Sequence, residues 1–123
     1  MIQDISYAIG EPNSKRNTLD VYPQSLTEKS FFFFFILMLD TVCVFVHGGA
    51  WGWSSKQDHH SVGKSLQFFG YCAVLPNYSL HPYGDVEDMV DDLNQALQWV
   101  YDNIENYGGD KENILVMGHS AGK

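Results

Sequence analysis

The chain has 123 residues, a length that fits one domain and leaves little room for a second. Hydrophobic residues make up 45% and charged residues 18%, which excludes a disordered tail or a collagen-like polymer. Seven Lys plus Arg against fifteen Asp plus Glu give a net charge of −8, so phosphate backbones and anionic lipid are repelled and a nucleic-acid partner is not expected.

The N-terminus, MIQDISYAIG, has no apolar signal region and carries an early Asp4, so no secretory leader is expected and the cytoplasm is the expected location. Short strands are expected at Asp4–Ala8 and Asn17–Tyr22, joined by the turn-rich GEPNSKRN. Phe31–Leu39 (FFFFFILML) is about half the length of a bilayer-spanning helix, and Asp40 interrupts its extension. A strand or strand-flanking segment is therefore expected there, ahead of a membrane anchor. Thr41–Val46 is β-branched and aromatic without polar alternation, the mark of a strand buried on both faces. Gln57–Phe69 has apolar steps of four and three and should be a helix ending at Gly70. Tyr71–Asn77 should be a second buried strand. Asp85–Asn106 carries apolar residues in steps of three and four, with carboxylates in its first turn, and predicts a long amphipathic helix. A third buried strand is expected at Ile114–Met117. Strand, helix, strand, helix, strand in this order implies an α/β fold: two short N-terminal strands, then mainly parallel strands with helices on both faces. Cys43 and Cys72 lie in apolar runs and read as reduced, buried thiols, and no Cys/His cluster suggests a metal.

Two segments carry chemistry. Gly118-His119-Ser120-Ala121-Gly122 matches G-x-S-x-G and directly follows an expected strand, where a sharp turn would lift the Ser120 hydroxyl above the sheet. A plain strand-to-helix turn with Ser as N-cap is the competing reading. His47-Gly48-Gly49-Ala50-Trp51 follows another strand, and its glycines would let backbone N–H groups approach an oxyanion closely. Phosphate-cradling patterns such as G-x-x-x-x-G-K-[ST] or G-x-G-x-x-G do not occur. Trp51 and Trp53 beside this loop would suit a flat acyl group, but read first as packing residues. Asp58-His59-His60 reads as solvated side chains on a surface helix.

With LDVY (19–22), VFVHGGAW (44–51), FGYCAVLPNYSLHP (69–82) and the run 86–122, the sequence resembles the esterase branch of the α/β-hydrolase superfamily. The branch includes carboxylesterases, hormone-sensitive-lipase-like enzymes, kynurenine formamidases and isoprenylcysteine methylesterase-like proteins. The resemblance implies a serine hydrolase of a small-molecule ester, or of a formamide or amide, acting without cofactor or metal. It implies Ser120 as nucleophile, Gly49, Ala50 and Ala121 as oxyanion-hole donors, and His47 as a loop-organising residue. The sequence departs from the family in three places. Only Ala121, Gly122 and Lys123 follow Ser120, so the Asp or Glu and the His that this fold places after its nucleophile are absent from these residues. FFFFFILMLD stands where relatives carry a short polar connection, and Ser79 stands where many carry Arg. The first two departures fit one origin, an imperfect gene reading in which a pyrimidine-rich intron end translates as poly-Phe. The expectation is a partial α/β-hydrolase domain over 1–123, lacking its C-terminal half, inactive and poorly soluble alone, with Ile114–Met117 as an open apolar edge. The alternative is a non-catalytic fragment or pseudoenzyme with at most a binding role.

Overall fold

A computed structural model describes residues 1–8, 16–24 and 40–123. The elements in chain order are β1 (Ile2–Ser6), β2 (Thr18–Tyr22), β3 (Thr41–Val46), a 3-10 turn (Lys56–His59) leading into α1 (His60–Phe68), β4 (Cys72–Pro76), α2 (Val86–Asn103) with a 3-10 extension (Ile104–Tyr107), and β5 (Asp110–Gly118). The run Phe31–Leu39 and most of GEPNSKRN lie outside the described residues. Among those that are described, no helix is long and apolar enough to cross a membrane.

The strands form one mixed sheet in the order β1-β2-β4-β3-β5. β1 and β2 pair antiparallel, β2 joins β4 antiparallel, and β3 runs parallel to both β4 and β5. Side chains alternate between the two faces, so one residue list builds two cores. Leu19, Val21, Val42, Val44, Cys72 and Val74 point to one face, where Ala96 and Val100 of α2 and Ile104 of its 3-10 extension cover them. Tyr22, Phe45, Ala73 and Leu75 point to the other, where Val62 and Leu66 of α1 pack. Helices therefore lie on both faces, as the buried, non-alternating strand sequences require.

Helix α2 begins at an Asp pair. The Asp88 N–H donates to Asp85 Oδ1 at 3.0 Å, and the Asp85 N–H donates to Asp88 Oδ2 at 2.9 Å, a reciprocal cap that satisfies two backbone donors. Asp92, inside the same helix, is buried and accepts from Asn17 Nδ2 and from the Ser79 N–H at 2.8 Å. The segment after β4 thus docks on α2 through its backbone at Ser79.

Four expectations need correction. The first strand, expected at Asp4–Ala8, runs over Ile2–Ser6, and Tyr7 and Ala8 lie beyond it. The segment expected as helix from Gln57 starts as a 3-10 turn and becomes α-helical only at His60. Phe69, counted on its apolar face, is 62% exposed at the helix end. The third strand is longer than expected, Asp110–Gly118, and Leu115, Val116 and Met117 are 45%, 51% and 40% exposed: among the described residues β5 pairs with β3 alone and stands as the expected open apolar edge, not as a strand buried on both faces. Cys43 and Cys72 are free and buried, and burial pushes both thiols up, Cys72 to about 11.

Gly63 shows how closely α1 sits on the sheet. A Cβ at this position would lie 2.5 Å from the Tyr22 ring, which is fully buried and held by its hydroxyl contact to His60 Nδ1. Alanine gains about 1 kcal/mol over glycine in an open helix, but overpacking a fixed ring costs about 1–3 kcal/mol. Gly63→Ala is therefore expected to lower the midpoint of thermal unfolding followed by circular dichroism. An unchanged or raised midpoint would show that the Tyr22 ring yields.

Candidate active site

The site lies at the carboxyl ends of β3 and β5, the edge where open α/β sheets place their chemistry. The parallel register sets Val46 beside Gly118, so the segments that follow, His47–Trp53 and His119–Gly122, leave the sheet side by side. The His119 N–H donates to Val46 O at 3.1 Å and carries the pairing one residue past the strand.

The second of these segments turns sharply. Ser120 has φ of 53°, left-handed for a residue with a side chain, and it is solvent-exposed. The turn closes through Gly122 N–H to His119 O at 2.9 Å and Lys123 N–H to Ser120 O at 3.2 Å. It can close only over glycines. A Cβ on Gly118 would lie 2.3 Å from Gly122 O, and one on Gly122 would lie 2.5 Å from Val46 O. Glycine at both ends of G-x-S-x-G therefore has a steric reason in this chain.

The first segment approaches it equally closely. A Cβ on Gly48 would lie 2.7 Å from His119 O and 2.9 Å from Ser120 Cβ, so the two sequence motifs touch. Gly49, Ala50 and Trp51 follow with φ of 126°, 48° and 61°, and the N–H groups of Gly52 and Trp53 both donate to Gly49 O at 3.1 Å. A side chain at Gly49 would run into Trp53 O. Among the described residues, the N–H groups of Gly49 and Ala50 donate to no backbone carbonyl. The loop backbone therefore lies beside the exposed Ser120, with these two N–H groups outside its backbone pairing.

Side chains behind the loop hold it. His47 is 1% exposed, and its Nδ1–H donates to Gly48 O at 2.7 Å. Tyr78 stacks on its ring at a centroid distance of 4.8 Å and donates its hydroxyl to His47 O at 2.7 Å. His59 stacks on His47 as well, at 5.7 Å and 14°. The far end of the loop is anchored by Lys56, whose side chain is wholly buried. Its ammonium donates to Asp20 Oδ1 at 2.5 Å and to Asp4 Oδ1 at 2.9 Å, and its backbone N–H donates to Asn77 Oδ1 at 2.7 Å. Among the described residues Asp20 Oδ2 is buried without a partner, and the Lys56 ammonium on Oδ1 is the charge that compensates this carboxylate. Losing one member of a buried pair typically costs about 3–5 kcal/mol, because the other charge stays buried alone.

Of the residues singled out in the sequence, Gly48, Gly118, His119, Ser120 and Gly122 meet at one place, with His47, Gly49, Ala50 and Ala121 adjoining. Trp51 and Trp53 do not pack as expected: they are 55% and 71% exposed, because the tight turn over Gly49 projects them outward. Asp58-His59-His60 is not simply a solvated face. His59 lies against Phe45 and His47, and His60 meets Tyr22. Lys56 and Tyr78 carried no sequence signal beyond one Lys in a polar run and one Tyr after a strand. Among the described residues no side chain accepts a hydrogen bond from Ser120 Oγ, and no cluster of His, Cys, Asp or Glu could hold a metal ion.

Comparison with known proteins gives a consistent set of relatives. The family model described as BD-FAE matches residues 38–123. A probable isoprenylcysteine alpha-carbonyl methylesterase of Oryza sativa subsp. japonica is 36% identical over 113 residues, covering 87% of this chain and 23% of that protein. The probable carboxylic ester hydrolase LipM of Mycobacterium tuberculosis is 36% identical over 78 residues, covering 63% of this chain and 18% of that protein. Esterase B from Lactobacillus rhamnosis superposes with a TM-score of 0.82 at 21% identity, over 98% of this chain and 35% of its own. The chain thus spans about a quarter or less of the curated relatives' length.

Burial pulls the His47 imidazole below its ordinary value of 6.5, against a smaller opposing effect of its bond to Gly48. With the folded value below the unfolded one, the unfolded chain binds more protons between the two. The stabilisation is full above pH 6.5 and is lost as pH falls from there through the folded value. Urea midpoints measured from about pH 7.5 to about pH 5.5 should therefore fall less steeply in His47→Asn than in the wild type. Equal slopes would remove His47 as the cause.

Proposed function

The chain belongs to the BD-FAE family of α/β-hydrolase esterases, and from that premise we propose that it carries the nucleophile and the oxyanion donors of a serine hydrolase of small carboxylic esters. The observation that carries this reading is the contact between the two motifs, in which a Cβ on Gly48 would fall 2.9 Å from Ser120 Cβ. Donors that converge beside a hydroxyl are what acyl transfer needs, since charge develops on the carbonyl oxygen as the nucleophile attacks.

In this reading Ser120 Oγ attacks the ester carbonyl carbon and its proton passes to a general base. The negative oxygen of the tetrahedral intermediate accepts hydrogen bonds from the N–H groups of Gly49, Ala50 and Ala121. Collapse breaks the bond to the alcohol oxygen, which takes up the proton and leaves. Water then attacks the acyl-serine by the same route and releases the carboxylic acid. A formamide or amide would follow the same path with an amine as leaving group. Chains of this fold place acid and base after the nucleophile, so the reading assigns these residues the nucleophile and donors and no proton acceptor. Left-handed φ at Ser120 agrees with a strained elbow that lifts the hydroxyl toward substrate.

A second reading, a non-catalytic protein with at most a binding role, is favoured by the absence of an acceptor for the Ser120 hydroxyl among the described residues. The two readings part under a fluorophosphonate probe with mass mapping of the label, with and without added imidazole as a surrogate base. An oxyanion site alone retains about 10³–10⁴-fold of catalysis over water. The hydrolase reading therefore expects label at Ser120 in preference to other serines, faster with imidazole and absent in Ser120→Ala. Label scattered over several serines, or none in either condition, would leave the binding reading.

A further inference from the structure

We propose that Tyr78 and His59 are positioning residues that act through the His47 ring to set the direction of the Gly49 N–H. The inference rests on the hydrolase reading for its purpose, but its geometry stands apart from it.

A trans peptide is planar, with its C=O and N–H pointing in opposite directions. The Gly48 carbonyl and the Gly49 N–H belong to one such unit. Because His47 Nδ1–H donates to Gly48 O at 2.7 Å, the carbonyl is drawn toward the ring and the Gly49 N–H is turned away from it. Glycines on both sides of that peptide leave its rotation otherwise weakly restricted, and Gly49 already occupies φ of 126°. The orientation of one donor thus depends on the orientation of one imidazole.

That imidazole is tied by a single nitrogen. Its Nε2 is buried and has no hydrogen-bond partner among the described residues, so none of them pins the ring at its far end, as a second hydrogen bond would. What remains to hold it is contact with other rings. Tyr78 stacks at 4.8 Å and 28°, and its hydroxyl fixes the His47 carbonyl at 2.7 Å. His59 stacks at 5.7 Å and 14°. His59 is in turn placed by Phe45, 5.4 Å away, and by Ser54 Oγ at 3.2 Å from its Nε2. The 3-10 turn before α1 therefore reaches the glycine loop through His59, and the segment after β4 reaches it through Tyr78.

Three variants test this: His59→Ala, which removes a ring, His59→Phe, which keeps one, and Tyr78→Phe, which keeps the ring but removes the hydroxyl. Two readouts apply to each. Nitrogen-15 spectra of the imidazoles report whether His47 holds a single Nδ1–H tautomer, and imidazole-assisted fluorophosphonate labelling reports the Ser120 rate. Wild type should show the single tautomer. His59→Ala should show exchange between tautomers, a shifted Gly49 amide resonance and roughly tenfold slower labelling, a fraction of what losing an oxyanion donor costs. His59→Phe should restore all three, and Tyr78→Phe should fall between. If His59→Ala keeps the wild-type tautomer and Gly49 resonance, or if His59→Phe behaves like His59→Ala, the inference is overturned. If wild type is not labelled at Ser120, the hydrolase reading fails, while the tautomer and amide shifts still decide the role of the two rings.

Discussion

Everything at this site depends on two backbone turns packed closer than any side chain allows. The parallel pairing of β3 with β5 delivers both turns to the same end of the sheet, and Gly48, Gly118 and Gly122 let them close on each other. A methyl group at any of the three would fall within 3.0 Å of backbone or Ser120 atoms. The strain that results is concentrated in a few residues, with left-handed φ at Ser120, Ala50 and Trp51. Such conformations cost about 1–3 kcal/mol each and persist only where the surroundings over-determine them.

The surroundings here are two buried anchors at either end of the glycine loop. His47 holds the entry through a ring stack and bonds to Gly48 and Tyr78. Lys56 holds the exit through Asp20 on β2, Asp4 on β1 and Asn77 after β4. Strands distant from Ser120 in the sheet order thus brace the loop beside it. The antiparallel strands β1 and β2 therefore do more than extend the sheet, since they supply the carboxylates that make a buried lysine tolerable at that point.

Much of this was legible in the sequence, and the reasons differ by level. Uninterrupted apolar runs at Thr41–Val46 and Tyr71–Asn77 announced strands covered on both faces, and the three-four spacing of 86–104 announced α2. The apolar run Ile114–Met117 announced a strand, and its expected open apolar edge agrees with the exposure of Leu115, Val116 and Met117 beside β3; its length was not legible, because the polar residues 110–113 carry no strand pattern. The Gln57 boundary was misread because helical spacing does not separate a 3-10 turn from an α-helix over four residues. At the site, G-x-S-x-G and HGG located the turns because their glycines are steric requirements. Lys56, Tyr78 and His59 escaped because long-range partners decide their roles: Lys56 reads as a surface charge until Asp20 is seen opposite it, and His59 as solvated until His47 is beside it.

The central claim is that the glycine loop and the Ser120 turn are in contact within this chain. It is tested most directly by a carbon-13-edited nuclear Overhauser spectrum of the labelled protein in solution. The account predicts cross-peaks between the Gly48 α-protons and the Ser120 β-protons, since a Cβ on Gly48 would stand 2.9 Å from Ser120 Cβ. Assigned resonances for both residues with no cross-peak between them would contradict it.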